Sequence, residues 1–137
     1  MTYSRFRPMF AEVLDPRLHT IGHLDDLLFA GHAQAWFGET AAIVTEIRTY
    51  PTGARVVHGL VAAGDLAEIR DVLIPRAEAW ARSIGCVLAV IESRPGWAKT
   101  LRAAGYEPHQ LTVRKELQHG IVQLEIDHQV DDQPEHI

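Results

Sequence analysis

The chain has 137 residues, 47% of them apolar, with 18 acidic and 13 basic side chains and a formal charge of −5. That is one ordinary domain, large enough to bury about two-thirds of the surface its unfolded form exposes, and a second core is not expected. Five of the acids (Glu125, Asp127, Asp131, Asp132 and Glu135) lie in residues 118–137, which contain no Lys or Arg, leaving 13 acids against 13 bases elsewhere. A neutral body with an acidic tail lacks the basic field of a nucleic-acid binder. No apolar run approaches the roughly 20 residues of a membrane span, and MTYSRFRPMF lacks a secretion signal's apolar core. The expectation is a soluble cytoplasmic protein, and lone Cys86 permits no internal disulfide.

In chain order, residues 1–20 are the least legible, because Pro8 and Pro16 interrupt them; at most one helical turn is expected around Met9 to Leu14. Ile21 to Ala30 reads as a helix through Leu24, Leu27 and Leu28, and Gln34 to Phe37 as a short strand before a turn at Gly38. Ala41 to Tyr50 and Ala54 to Ala63 flank the turn residues Pro51-Thr52-Gly53 and form a β-hairpin. Ile69, Leu73, Ala77, Trp80 and Ile84 recur at helical steps, and Gly85 ends that helix. Pro75 is expected to kink or break it near Leu73. The unbroken apolar run Cys86 to Ile91 suggests a central strand covered on both faces. Ser93 and Pro95 then open a helix bearing Trp97, Leu101 and Ala104, which Gly105 ends before a closing strand. After a turn at Gln118-His119-Gly120, Val122, Leu124 and Ile126 alternate with Gln123, Glu125 and Asp127, the pattern of a half-buried strand over 121–127. The division expected is one domain over 1–117 and an acidic extension over 118–137.

This order, with the landmarks Gly85-Cys86, the apolar strand and Gly105-Tyr106, resembles the Gcn5-related N-acetyltransferase (GNAT) superfamily over about residues 20–117. Ile43 to Ile47 (IVTEI), Arg94 to Trp97 (RPGW) and Arg114 to Leu117 (RKEL) look like the small GNAT-like proteins of phages and prophages, which include morphogenesis and internal virion proteins. The resemblance implies an α/β (α+β) fold with a mixed, mostly antiparallel sheet flanked by helices. It also implies a loop of the type Gln/Arg-x-x-Gly-x-Gly/Ala that holds the acetyl-CoA pyrophosphate at a helix start.

Counted back from Gly85, that loop falls on Asp65, Leu66, Ala67, Glu68, Ile69 and Arg70, and none of its signature residues matches; a shifted loop using Gly64 is the other alignment. Asp65-Leu66-Ala67-Glu68 also reads as a capping box, with Asp65 bonding the Glu68 N–H and Glu68 reaching back to the Asp65 N–H. Two carboxylates there would each repel a pyrophosphate by roughly 3–4 kcal/mol at an effective dielectric near 20, before any relaxation. The position of the family's proton-donating Tyr is Leu101, and Tyr106 is either a core aromatic or the substitute acid. Glu46, His58 and Glu92 are the candidate bases, each also readable as a solvated or backbone-satisfied residue. His19, His23 and Asp25 lack a placed further ligand, so no metal is expected, and Cys86 reads as a small buried hydrophobe.

Two functions follow as expectations. The first is a noncatalytic GNAT-like structural or assembly protein, plausibly of a phage particle. It would need no cofactor, contact other protein chains (further copies or virion proteins) through Val122, Leu124 and Ile126, and engage neither nucleic acid nor membrane. The alternative is an acetyl-CoA-dependent N-acyltransferase with a divergent loop, acting on an unidentified amine.

Overall fold

The computed structural model describes residues 2–94 and 96–117. The chain divides into two units, Met1–Glu107 and Pro108–Ile137, and the elements below lie in the first. The elements are α1 (Thr2–Val13), α2 (Ile21–Phe29), β1 (Gln34–Phe37), β2 (Ala41–Thr49), β3 (Arg55–Gly64), a helix built from α3 (Leu66–Glu68), a π-turn (Ile69–Leu73) and α4 (Ile74–Ser83), then β4 (Cys86–Ile91) and α5 (Trp97–Arg102). The sheet order is β1-β2-β3-β4, with the first two pairings antiparallel and β3–β4 parallel. Helices cover both faces. Phe6, Phe10 and Leu24 pack on Ala42, Val44 and Ala63, while Ile69, Leu73, Ile74, Ala77 and Leu101 pack on Ala41 and Ile43.

The N-terminal segment is a 12-residue helix, where the sequence led us to expect a single turn. Pro8 removes one hydrogen bond at a cost of about 3 kcal/mol. Phe6 and Phe10, one turn apart on the same face, bury fully, and each returns about 2–3 kcal/mol. The helix is clasped to α2 by Asp25, which accepts from the Tyr3 hydroxyl at 2.6 Å and from Arg7 Nη2 and Nε at 2.7 and 3.1 Å. Burial and that carboxylate push the Tyr3 hydroxyl up to about 12. Asp25 is therefore committed to α1, and among the described residues no group of three His, Cys, Asp or Glu is arranged to hold a metal.

Pro75 does not break the long helix. The Ile74 N–H bonds Ile69 O, an i→i−5 step, and the widened turn places Pro75 in the first turn of α4, where its missing N–H leaves no gap. The extra residue rotates the buried face, so Ile74, Ala77 and Ala81 follow Ile69 and Leu73 into the core. Gly85 and Gly105 take φ of 91° and 93° where the helices were expected to end.

Two expectations for the C-terminal half change. Among the described residues β4 pairs on one side only, with β3, and Val87 is 67% and Leu88 60% exposed, where the sequence led us to expect cover on both faces. Residues 108–117 form no closing strand; they carry no regular secondary structure and are exposed. The expected strand over 121–127, with Val122, Leu124 and Ile126, lies outside the described residues. No helix among the described residues is long and apolar enough to cross a membrane.

Replacing Asp25 by Ala removes the partner of both Tyr3 and Arg7 and should lower the unfolding free energy in urea by about 1–3 kcal/mol, whereas Asp26→Ala should change it by less than about 0.5 kcal/mol.

Candidate active site

β3 is where the sheet opens. It pairs with β4 from Arg55↔Cys86 to Gly59↔Ile91 and, among the described residues, has no strand on that side from Leu60 to Gly64. On its other side the ladder with β2 steps from Thr45↔Gly59 to Val44↔Val61, leaving Leu60 as a bulge residue. A bulge adds twist and bends its strand, and here it coincides with the end of the β4 pairing. Gly59 lies against Ile91, whose Cγ1 is 3.6 Å from where a Cβ would stand, an ordinary van der Waals contact.

Below this opening, on the α4 face, lies a cleft of about 40 Å³ lined by Ile43, Thr45, Gly59, Ile91, Glu78 and Tyr106, among others. That is room for a few water molecules or a small functional group. The Tyr106 hydroxyl donates to Glu78 Oε2 at 2.6 Å, and burial together with this bond raises its pKa well above the usual phenol range. Tyr106 is thus a firm donor that holds Glu78 in place and a poor acid toward a thiolate. The sequence reading missed Glu78, although its spacing of four from Ile74 sets a carboxylate on the apolar face. Thr45, also at the cleft, is buried and satisfied, accepting from Trp36 Nε1 at 3.0 Å and donating to Gln34 Oε1 at 2.9 Å. Leu101 is 4% exposed, so the family's tyrosine position is filled by a core residue.

Glu46, His58 and Glu92 come together, but away from Tyr106. Glu46 stands opposite His58 in the ladder, on the sheet face that carries Ala42 and Val44. Its Oε1 accepts from Arg48 Nε at 2.6 Å. His58 is 4% exposed, and its Nε2 lies 3.1 Å from the Tyr50 hydroxyl. Desolvation and the Arg48 charge lower its pKa, outweighing the pull of Glu46 and Glu92, so the imidazole is neutral near pH 7. The four catalytic candidates thus split into a His58 cluster on one face and Tyr106 in the cleft on the other.

The helix start realises half of the capping box. Asp65 Oδ2 accepts from the Glu68 N–H at 3.2 Å. Glu68 does not reach back to Asp65, whose N–H faces Thr40 O at 3.4 Å. Its carboxylate instead accepts from the N–H groups of Glu39 and Thr40 at 3.1 and 2.9 Å and from Thr40 Oγ1 at 3.2 Å, which lowers its pKa. It clamps the β1–β2 turn to the helix, filling the nest of amides that turn creates. Gly64 ends β3, and at φ 102° it lets the Thr40 carbonyl approach, with Ala41 Cα 2.6 Å from where a Cβ would stand. Ile69 is core and Arg70 pairs with Asp71 at 2.7 Å. What faces an anion at the helix start is the first-turn N–H groups of Leu66 and Ala67 beside the Asp65 carboxylate.

No protein-family model matches the chain, and no curated protein matches it in sequence. Solved structures do match in fold. AAC(6')-Iy in complex with the bisubstrate analogue CoA-S-monomethyl-acetylneamine is 18% identical with a TM-score of 0.63, over 85% of this chain and 91% of that one. An acetyltransferase of Trypanosoma brucei is 14% identical with a TM-score of 0.61, over 85% and 93%. Glucosamine-6-phosphate N-acetyltransferase of Arabidopsis thaliana is 10% identical with a TM-score of 0.59, over 82% and 89%. The fold is that of the GNAT acetyltransferases.

Because His58 titrates below its ordinary 6.5 in the folded protein, the unfolded chain binds the extra proton as pH falls past that value. Stability should be full well above pH 6.5 and decline as pH falls below it, and His58→Gln should abolish that slope in pH-dependent thermal unfolding. The carboxylates with lowered values, Asp25, Glu68 and Asp71, act in a separate window, below about pH 4.5. Glu68→Ala should speed hydrogen exchange at the Glu39 and Thr40 amides and leave the ladder around Val57 unchanged.

Proposed function

We propose that this chain is an N-acyltransferase that takes its acyl group from a coenzyme A thioester and passes it to an amine. The observation that carries this reading is the half-open β3: five residues, Leu60 to Gly64, lack a strand on their β4 side among the described residues and run directly into a helix start. A donor with amide groups along its stem and a pyrophosphate at its end fits such a line, amides on the strand edge and phosphate toward the N–H groups of Leu66 and Ala67. Bound in this way it supplies the activated acyl group. The chain's own residues do the rest: Gly59 and Ile91 shape the cleft at the acyl end, and Tyr106 orients Glu78 beside it.

One feature of the seat opposes an anion, the Asp65 carboxylate. Glu68, the other acid of the divergent loop, is neutralised in effect by the turn it caps. The fold likeness to acetyltransferases and the open strand edge therefore outweigh the loss of the glycine signature. The second reading, a noncatalytic assembly component of the phage type, draws on specific observations too: Asp65 caps the first turn, and Leu101 leaves no tyrosine at the family's proton-donor position.

Calorimetric titration separates the two. The proposal expects micromolar acetyl-CoA binding, and Asp65→Asn, which keeps a side chain able to cap the helix but removes its charge, should tighten it by about tenfold. No heat up to millimolar acetyl-CoA, in both the unaltered chain and Asp65→Asn, leaves the assembly reading.

A further inference from the structure

The cleft beneath α4 offers a ligand an acceptor and no side-chain donor. Three of the side chains that line it carry polar atoms: Thr45, Glu78 and Tyr106. The Thr45 hydroxyl donates to Gln34 Oε1, and the Tyr106 hydroxyl donates to Glu78 Oε2, so neither has a hydrogen left to give. Glu78 Oε1 has no donor among the described residues. The other walls are apolar, Ile43, Ile74, Ala77 and Ile91 among them.

Glu78 turns to this cleft in preference to an available surface partner. It stands four residues before Arg82 on α4, the spacing at which a carboxylate meets a base along a helix, yet the two form no ion pair and Arg82 is exposed. The short bond from Tyr106, 2.6 Å, fixes the carboxylate where it is. An oxygen left unmet among apolar walls calls for a donor from the ligand, and a charged donor makes the stronger bond. Size then limits the cation. About 40 Å³ holds roughly three heavy atoms, at about 10–15 Å³ for each water-sized group. An ammonium on one or two methylenes meets that limit, and a guanidinium on a stem exceeds it.

Resting on the acyltransferase reading, we propose that the acyl group carried into this cleft is a short ω-aminoacyl group whose ammonium is held by Glu78. The β-alanyl group fills the volume, with two methylenes and a nitrogen beyond its carbonyl. In the transfer the C–S bond of the thioester breaks and a C–N bond to the acceptor amine forms, and the proton that the amine loses passes to the departing thiolate. The ammonium on Glu78 keeps its proton throughout and so does not attack its own thioester.

The test is calorimetric titration of the chain with the acetyl, β-alanyl, 3-hydroxypropionyl and butyryl thioesters of coenzyme A. The last three match in size and end in an ammonium, a hydroxyl and a methyl group. β-Alanyl-CoA should bind at least about tenfold tighter than butyryl-CoA, with 3-hydroxypropionyl-CoA between them. Glu78→Gln, which keeps the shape and an acceptor for Tyr106 but removes the charge, should bring β-alanyl-CoA and butyryl-CoA within about twofold of each other. Acetyl-CoA binding with β-alanyl-CoA no tighter than butyryl-CoA or 3-hydroxypropionyl-CoA overturns this inference and leaves the acyltransferase reading standing. A β-alanyl preference that persists in Glu78→Gln also overturns it, and no heat from any of the four overturns both.

Discussion

Everything that distinguishes this molecule from a closed four-stranded sandwich follows from one limit: β3 and β4 pair for only the first half of β3. At Gly59 the ladder with β4 ends and the ladder with β2 skips Leu60, so the two strands part with the extra twist that a bulge imposes. The chain continues from the open half of β3 into a helix, whose start therefore lies in line with unpaired strand edge. The cleft with Glu78 and Tyr106 sits at the apex, where the strands separate beneath α4.

The acids at the helix start show how local bonding divides residues of like charge into different roles. Asp65 serves the helix, through the Glu68 N–H, while Glu68 serves the β1–β2 turn, through the amides of Glu39 and Thr40. Taken from the sequence, the pair forms a reciprocal cap that would exclude a phosphate. In the fold only Asp65 stays at the first turn, and the barrier to an anion there is one charge rather than two. The same division appears across the sheet. The His58 cluster is a satisfied, largely enclosed set on one face, and the Tyr106–Glu78 pair faces the cleft on the other.

Much of the fold was legible because it is written in short-range patterns. Gly85 and Gly105 end helices where a left-handed residue is needed, and the β-branched runs around Pro51-Thr52-Gly53 form the hairpin. What escaped depends on distant partners. Pro8 and Pro16 concealed α1, whose stability comes from Phe6 and Phe10 packing on the sheet and from Asp25. Pro75 signalled a break, and the π-turn that absorbs it depends on burial of Ile69 and Leu73. The bulge at Leu60 leaves no local mark, since Gly59-Leu60-Val61 reads as ordinary strand. Nor does composition reveal which face of the sheet Glu46, His58, Glu92 and Tyr106 occupy, because a bulge and a crossover helix set that. The apolar continuity of Cys86 to Ile91 reports hydrophobicity and by itself does not give the number of neighbouring strands.

The account stands on the claim that the open half of β3 and the helix start form the donor's seat. Amide chemical-shift mapping during titration with coenzyme A addresses it directly. Shifts concentrated at Leu60 to Gly64, Leu66 and Ala67, with Val44 and the His58 cluster still, are the predicted result. Shifts that avoid β3, or none at saturating coenzyme A, would contradict it.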